Sequence, residues 1–291
     1  MTIIDARVRL PQDLRPDARY TAPSRQTEQY DKVLDLRNKM NAGTMDVLLS
    51  VMREHRIDAA VMHAESEGGE DCDALNAALA KVLAEYPDTF RGVGAVDVTG
   101  TPGRIARQAG RIADAGMLGL SLQPAFFGLD IDARTLYPMY ARAEELGLLV
   151  AVHTGINYSR LHPMRHERAE MLDQVACDFP DLRIIAAHGG WPWATEFAAV
   201  ARRHPTVYLE FGGLAPKYVA KPGSGWDATF SMMSNLLRDQ ILYGSDWPTM
   251  QPGRAVREWR ESGLGDATLA ALFHDNAAVL FGFDVHAAPG R

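Results

Sequence analysis

The sequence predicts an α/β fold, a single-domain (β/α)8 TIM barrel, and three observations carry that expectation. Short apolar, strand-like runs recur along the whole 291-residue chain, separated by longer stretches of helical periodicity; strand then helix, repeated, is the pattern of a parallel sheet. Eight such units follow one another with no linker between halves, which favours a closed barrel over an open sheet. No Gly-x-Gly-x-x-Gly turn follows the first run, as a doubly wound nucleotide-binding sheet would require.

The strand candidates, in order, are 3–8, 59–63, 92–95, 118–122, 148–153, 183–188, 207–211 and 241–245. Helical periodicity fills 44–55, 71–86, 101–115, 135–146, 168–179 and 193–204. Apolar residues return there every three or four positions, as Leu75, Leu79, Val82 and Leu83 do. Gly116 and Gly147 stand just past two of these helices, and Pro87 and Pro180 break two others. Residues 11–43 are polar and charged and read as a long loop after the first strand, the kind that often serves as an active-site lid. Residues 285–291 read as a loose tail, so that one domain spans 1–291.

Composition narrows the classes of partner. Hydrophobic residues make up 47% and charged residues 23%, the profile of a well-packed globule. A formal charge of -7 and a pI near 5.7 offer no basic surface to nucleic acid or to anionic lipid. Cys72 and Cys177 lie far apart in no metal-like spacing and read as small, half-buried apolar residues. The start, Met1-Thr2-Ile3-Ile4-Asp5, has no basic region leading into an apolar stretch, and no run is long enough for a bilayer. A cytoplasmic location without membrane or nucleic-acid partners is therefore expected, with homo-oligomer formation left open.

Strand parity then locates the chemistry. Residues of equal parity share a face, so Ile4, Ala6 and Val8 are expected to pack outward, leaving Asp5, Arg7 and Arg9 inside the barrel. Two interior guanidinium groups need anions. Those anions are either internal carboxylates such as Asp5 or Asp246, or a substrate carboxylate that arginine grips in a bidentate manner. Three other runs end on a polar residue: Leu149, Ala151 and His153; Ile184, Ala186 and His188; Leu242, Gly244 and Asp246. Barrel enzymes keep their catalytic groups at that end of the strands. A lone histidine there is usually structural, but two histidines and an aspartate on three strands point to a site.

His63 ends the second run in the same manner and reads equally as core residue or ligand contact. The loop after His153 carries Tyr158, Arg160, His162, Arg165 and His166, either a solvated loop or a cationic clamp over an acidic ligand. Trp191, Trp193 and Trp247 are candidate pocket walls, while His55, His204, His274 and His286 are expected to be solvated.

Several of these pieces resemble a known family. Ile3-Ile4-Asp5, Val152-His153-Thr154-Gly155, Ala187-His188-Gly189-Gly190, Leu242-Tyr243-Gly244-Ser245-Asp246-Trp247-Pro248 and Asn276-Ala277-Ala278-Val279-Leu280-Phe281-Gly282 occur in the order found in the amidohydrolase-related superfamily. The similarity is to the branch of aminocarboxymuconate-semialdehyde decarboxylase and 2-pyrone-4,6-dicarboxylate lactonase. It implies a (β/α)8 barrel with its site at the strand ends. The family's first strand usually carries His-x-His, two ligands of a divalent metal, where this chain has Arg7 and Arg9. Arginine has no lone pair to give and stays protonated.

The resulting expectation is a lactonase-like hydrolase of a small carboxylated substrate, working without a metal. Asp246 would activate water, His153 and His188 would polarise the carbonyl, and Arg7, Arg9, His63, Tyr158 and Arg160 would bind substrate. No cofactor is favoured. The alternatives are a zinc-dependent hydrolase or decarboxylase with His153, His188 and Asp246 as ligands, and a non-catalytic barrel that binds an acidic metabolite.

Overall fold

The computed structural model describes residues 2–16 and 25–283. Its eight parallel strands run in chain order: β1 (Ile4–Arg9), β2 (Ala59–His63), β3 (Phe90–Ala95), β4 (Gly119–Leu122), β5 (Leu149–His153), β6 (Ile184–Ala187), β7 (Val207–Glu210) and β8 (Ile241–Leu242). The sheet closes where β8 meets β1: Ala6 N donates to Tyr243 O at 2.8 Å, and Val8 bridges to Trp247. This is the expected barrel.

Helices wrap it. Two short ones, α1 (Glu28–Leu34) and α2 (Leu36–Ala42), and the longer α3 (Met45–His55) follow β1. Single helices follow the next strands: α4 (Cys72–Glu85), α5 (Pro102–Asp114), α6 (Tyr137–Glu145), α7 (Ala169–Asp178) and α8 (Ala194–Arg203). After β7 come α9 (Pro216–Val219) and α10 (Asp227–Met233), and after β8 come α11 (Pro252–Arg260), α12 (Asp266–Ala270) and α13 (Asn276–Phe281). The helix starts are chemically specified: Asp71 accepts from Ala74 N at 3.1 Å ahead of α4, and Thr44 caps α3 in the same way. The α4 residues Leu75, Leu79 and Val82, one helical face, are buried as their spacing requires.

Two expectations need correction. The segment 11–43 is not a plain loop, because α1 and α2 form within it. Their apolar residues Tyr30, Leu36 and Met40 cluster on Phe126, which gives this stretch a small core of its own. Residues 17–24 of that segment and the expected tail lie outside the described residues. No helix among the described residues is long and apolar enough to cross a membrane.

The second correction concerns β1. Ile4 and Ala6 lie in the cluster that fills the barrel, with Ala59, Val61, Leu149 and Ala151, whereas Val8 belongs to the layer between strands and helices. The cause is a bulge. Asp5 pairs with Ala60 and Val8 with Met62, so β1 spends one residue more than β2 over the same span. The extra residue resets the parity. Ile4 and Ala6 face inward below it, Arg7 and Arg9 face inward above it, and Asp5 sits opposite Ala60 on the outer face. The terminal helix α13 packs Ala277, Leu280 and Phe281 into the interior cluster from the end where the strands begin. The opposite end is left for the site.

Candidate active site

A cavity of about 360 Å³ opens at the C-terminal ends of the strands, a volume suited to a small molecule. Arg9, Glu67, His153, His188 and Asp246 form its polar floor, and Tyr30, Leu34, Tyr158, Trp191, Leu214 and Tyr218 stand among its apolar walls. The helices within segment 11–43 thus do cover the site, through Tyr30, Leu34 and Leu36.

His153 reaches the cavity by strand parity, following Leu149 and Ala151 on the inner face. His188 does not. Ile184 and Ala186, of its own parity, belong to the outer layer. β6 ends at Ala187, and a left-handed φ of 59° at His188 turns its ring to within 4.9 Å, centroid to centroid, of the His153 ring. Asp246 likewise has φ 55°. Left-handed backbone at non-glycine residues costs about 1–3 kcal/mol each and clusters at functional sites. The adjacent Gly244 is required by space: a Cβ there would collide with the Glu210 carboxyl and approach Arg7 Cβ at 3.1 Å.

The two arginines meet internal carboxylates, and Asp5 is not one of them. Arg7 pairs with Glu65 and sets Nε 3.3 Å from Asp246 Oδ1. Arg9 holds Glu65 at 2.9 Å, Glu67 at 3.1 Å and both Asp246 oxygens, at 2.9 and 3.3 Å. Burial alone would raise the Asp246 pKa, but Arg9, Arg7 and His188 outweigh it and hold this carboxyl well below the usual range. Asp5 instead accepts from Ser245 N at 2.9 Å and from Arg7 N at 3.2 Å, tying β8 to β1.

Sequence reasoning missed four acids here. Glu65 and Glu67 follow His63 at equal parity, the same signal that marked His153. Glu210, at the end of β7, accepts from Gly212 N. Glu167, in the loop expected to be cationic, hydrogen-bonds His153 Nδ1.

These partners decide which ring nitrogens face the cavity. Gly212 O can only accept, so His188 Nδ1–H donates to it at 2.7 Å and Nε2 keeps its lone pair. Burial pushes the Glu167 carboxyl well above the usual range, and its hydrogen bond to His153 Nδ1 leaves Nε2 as the His153 nitrogen turned to the cavity.

Other expected contacts lie elsewhere. Arg7 and His63 sit beneath the cavity rather than on its wall, with His63 Nε2 bonded to Ala6 O at 3.1 Å. Arg160 is displaced from the site: its side chain is 71% exposed and lies 3.8 Å from Glu28. His166 is bound to Asp130 at 2.5 Å, so this loop engages the protein's own acids. Trp247 is core and Trp193 packs against the core; of the three tryptophans only Trp191 lines the cavity.

Burial sorts the titratable groups into opposing sets. It lowers His188 to about 3, with His153 adding to the effect, lowers His153 to about 4, and puts His63 well below its usual value. It raises Glu210 to about 8 against the pull of Arg7, and Asp5 to about 7. A lowered histidine binds fewer protons folded than unfolded, so its stabilising contribution is lost as pH falls below 6.5. A raised carboxyl binds more protons when folded, so stability is lost as pH rises towards its folded value. The slopes oppose each other between about pH 4.5 and 6.5, and above that only the carboxyls act. Stability is therefore expected to decline from about pH 6.5 to 8, and Glu210→Gln to remove one group's share, at most about 1.4 kcal/mol per pH unit. Urea midpoints at both pH values check this; equal declines in both proteins would show Glu210 to be ionised in the fold.

The donor set does not fit a divalent ion. Both Asp246 oxygens face guanidinium N–H groups, and the fixed positive charges of Arg7 and Arg9 stand beside them. Among the described residues, three donor atoms within 4.8 Å of one another occur at Asp173, Cys177 and His204, not at His153, His188 and Asp246.

A family model described as Amidohydrolase matches residues 4–283. The 2-amino-3-carboxymuconate-6-semialdehyde decarboxylase of Dictyostelium discoideum is 29% identical over 241 residues, 72% of this chain and 66% of that protein. The chain thus spans just under two thirds of that relative's length. An uncharacterised TIM-barrel protein of Bordetella bronchiseptica superposes with a TM-score of 0.79 at 26% identity, covering 97% of this chain and 99% of the other. Two further structures, each 17% identical, share the fold. One is a probable 2-pyrone-4,6-dicarboxylic acid hydrolase of Acinetobacter baumannii with citric acid bound (TM-score 0.66; 97% and 100% covered). The other is the 5-carboxyvanillate decarboxylase of Novosphingobium aromaticivorans with manganese and 4-hydroxy-3-methoxy-5-nitrobenzoic acid (0.69; 97% and 96%).

Proposed function

The chain belongs to the amidohydrolase family, and from that premise we propose that it hydrolyses a small carboxylated lactone or related ester by direct attack of water, without a resident metal. The observation that carries this reading is Asp246: an ionised carboxylate on the cavity floor, gripped by guanidinium groups rather than open to a cation. The probable 2-pyrone-4,6-dicarboxylic acid hydrolase among the structural neighbours supports the substrate class.

Each group has one task. Asp246 orients water against the carbonyl carbon and accepts its proton, with the bare Nε2 of His188 as a second acceptor beside it. His153 Nε2–H donates to the oxyanion that forms as the C–O double bond opens. The ring C–O bond then breaks, and the leaving oxygen takes up the proton that water lost. Arg9, the guanidinium on the cavity floor, is the group within reach of a substrate carboxylate, while Tyr158 and Trp191 flank the apolar body. His188 is not a second oxyanion donor, because its only N–H is committed to Gly212 O.

A second reading, decarboxylation, is favoured by the activity of the Dictyostelium discoideum relative. Products separate the two: ring opening adds water and releases no CO2. The test is turnover of a panel of carboxylated lactones by protein dialysed against chelator, with metal content measured in parallel. Retained hydrolysis is expected. Activity that vanishes with the metal and returns on adding manganese or zinc would overturn the metal-free reading.

A further inference from the structure

A second cluster with metal-ligand chemistry lies outside the barrel, on the helical layer. Asp173 and Cys177 are four residues apart on α7, so they share one face of that helix. His204 caps the end of the neighbouring α8. Although expected to be solvated, its Nε2 donates to Asp173 Oδ1 at 2.7 Å. One donor atom from each of the three residues falls within 4.8 Å of the others, and the Cys177 thiol is exposed and unpaired.

We propose that Asp173, Cys177 and His204 form a surface site for a borderline-soft divalent cation of the zinc type. The donor set decides the class of ion. Thiolate, imidazole and carboxylate together suit zinc, whereas calcium and magnesium take oxygen ligands. Three protein ligands plus one water make an ordinary tetrahedral set, in which ligand atoms sit about 3.3–3.8 Å apart. To reach that spacing the 2.7 Å Asp173–His204 pair must widen, and donor atoms that lie up to 4.8 Å apart must draw in.

Loading is an exchange of protons for the ion. The thiol proton leaves to solvent as the sulfur–metal bond forms, the imidazole proton moves from Nε2 to Nδ1, and the Nε2–H···Oδ1 hydrogen bond gives way to two bonds to the cation. Arg203, whose Nη1 lies 2.5 Å from Asp173 Oδ2, stays on the far carboxylate oxygen and competes electrostatically with the ion. The bound cation would tie the end of α7 to the end of α8, which joins the two helices flanking β6. Its effect is therefore on stability.

The probe is cobalt(II), titrated into the full chain and followed by its sulfur-to-metal charge-transfer absorption, with zinc used for thermal unfolding. One equivalent is expected to bind with a thiolate band. Cys177→Ser, at an exposed position, should abolish the band and the zinc-dependent rise in Tm; His204→Gln should weaken binding, and Arg203→Ala should tighten it. Asp246→Asn should leave the titration unchanged, which separates this site from the barrel mouth. Absence of a saturable band in the wild-type protein, or its survival in Cys177→Ser, would overturn the assignment.

Discussion

Asn in place of Asp246 is expected to lower kcat by about 10²–10⁴-fold, the usual worth of a positioned general base, while the fold survives. Asn keeps the shape and an oxygen for the Arg7 and Arg9 Nε–H groups, and gives up the longer bond from Arg9 Nη2 at 3.3 Å. It loses the charge and the proton-accepting power. Charge accounting shows why folding tolerates the change. Arg7 and Arg9 face three carboxylates, Glu65, Glu67 and Asp246, so neutralising one leaves two cations opposite two anions. Steady-state kinetics with a urea midpoint checks both halves. An unchanged kcat would remove Asp246 from the chemistry and pass the role of base to His188. A collapsed midpoint with proportionate loss of activity would make Asp246 a structural anion.

The largest effect on stability is expected at Arg7. Its guanidinium is 2% exposed and pairs with Glu65 and Asp246. Arg7→Met fills a similar volume but leaves Glu65 and Asp246 short of a partner in the interior. Breaking a buried pair from one side costs about 3–5 kcal/mol, because the remaining charge keeps its desolvation penalty. Adding Glu65→Gln should recover part of that loss, since it neutralises one of the three carboxylates left facing Arg9 alone. Urea unfolding of the single and double variants measures the difference. A loss of under about 1 kcal/mol in the single variant, the worth of an exposed pair, would mean that the network contributes little to folding.

Much of the candidate site was legible before any coordinates. His153 followed from period-two alternation, because Leu149, Ala151 and His153 occupy one face of a regular strand. Asp246 followed from the same rule on Leu242 and Gly244. His188 was named on an argument that fails in detail: its parity points to the outer layer, and the left-handed turn after Ala187 brings it back. Glu65 and Glu67 were visible to the same rule that found His153, had it been carried past the end of the apolar run. Glu167 and Glu210 gave weaker signals, since a single acid in a charged loop or at the end of a short strand has many uses.

The sequence by itself determined the barrel, because hydrophobic periodicity is local and eight repeats of it leave few ways to close a sheet. It also determined that Arg7 and Arg9 carry fixed positive charge and have no lone pair to give, since residue type alone settles that. Only the tertiary structure decided what those guanidiniums face. One extra residue in β1 moved Asp5 off the interior face and set Arg7 and Arg9 against Glu65, Glu67 and Asp246. Pairings across 58 and 237 positions of chain depend on how β1 is placed between β2 and β8, and no local pattern encodes that. The orientation of His153 and the tautomer of His188 were decided there too, by a buried acid and a carbonyl that reach them only once the barrel is closed.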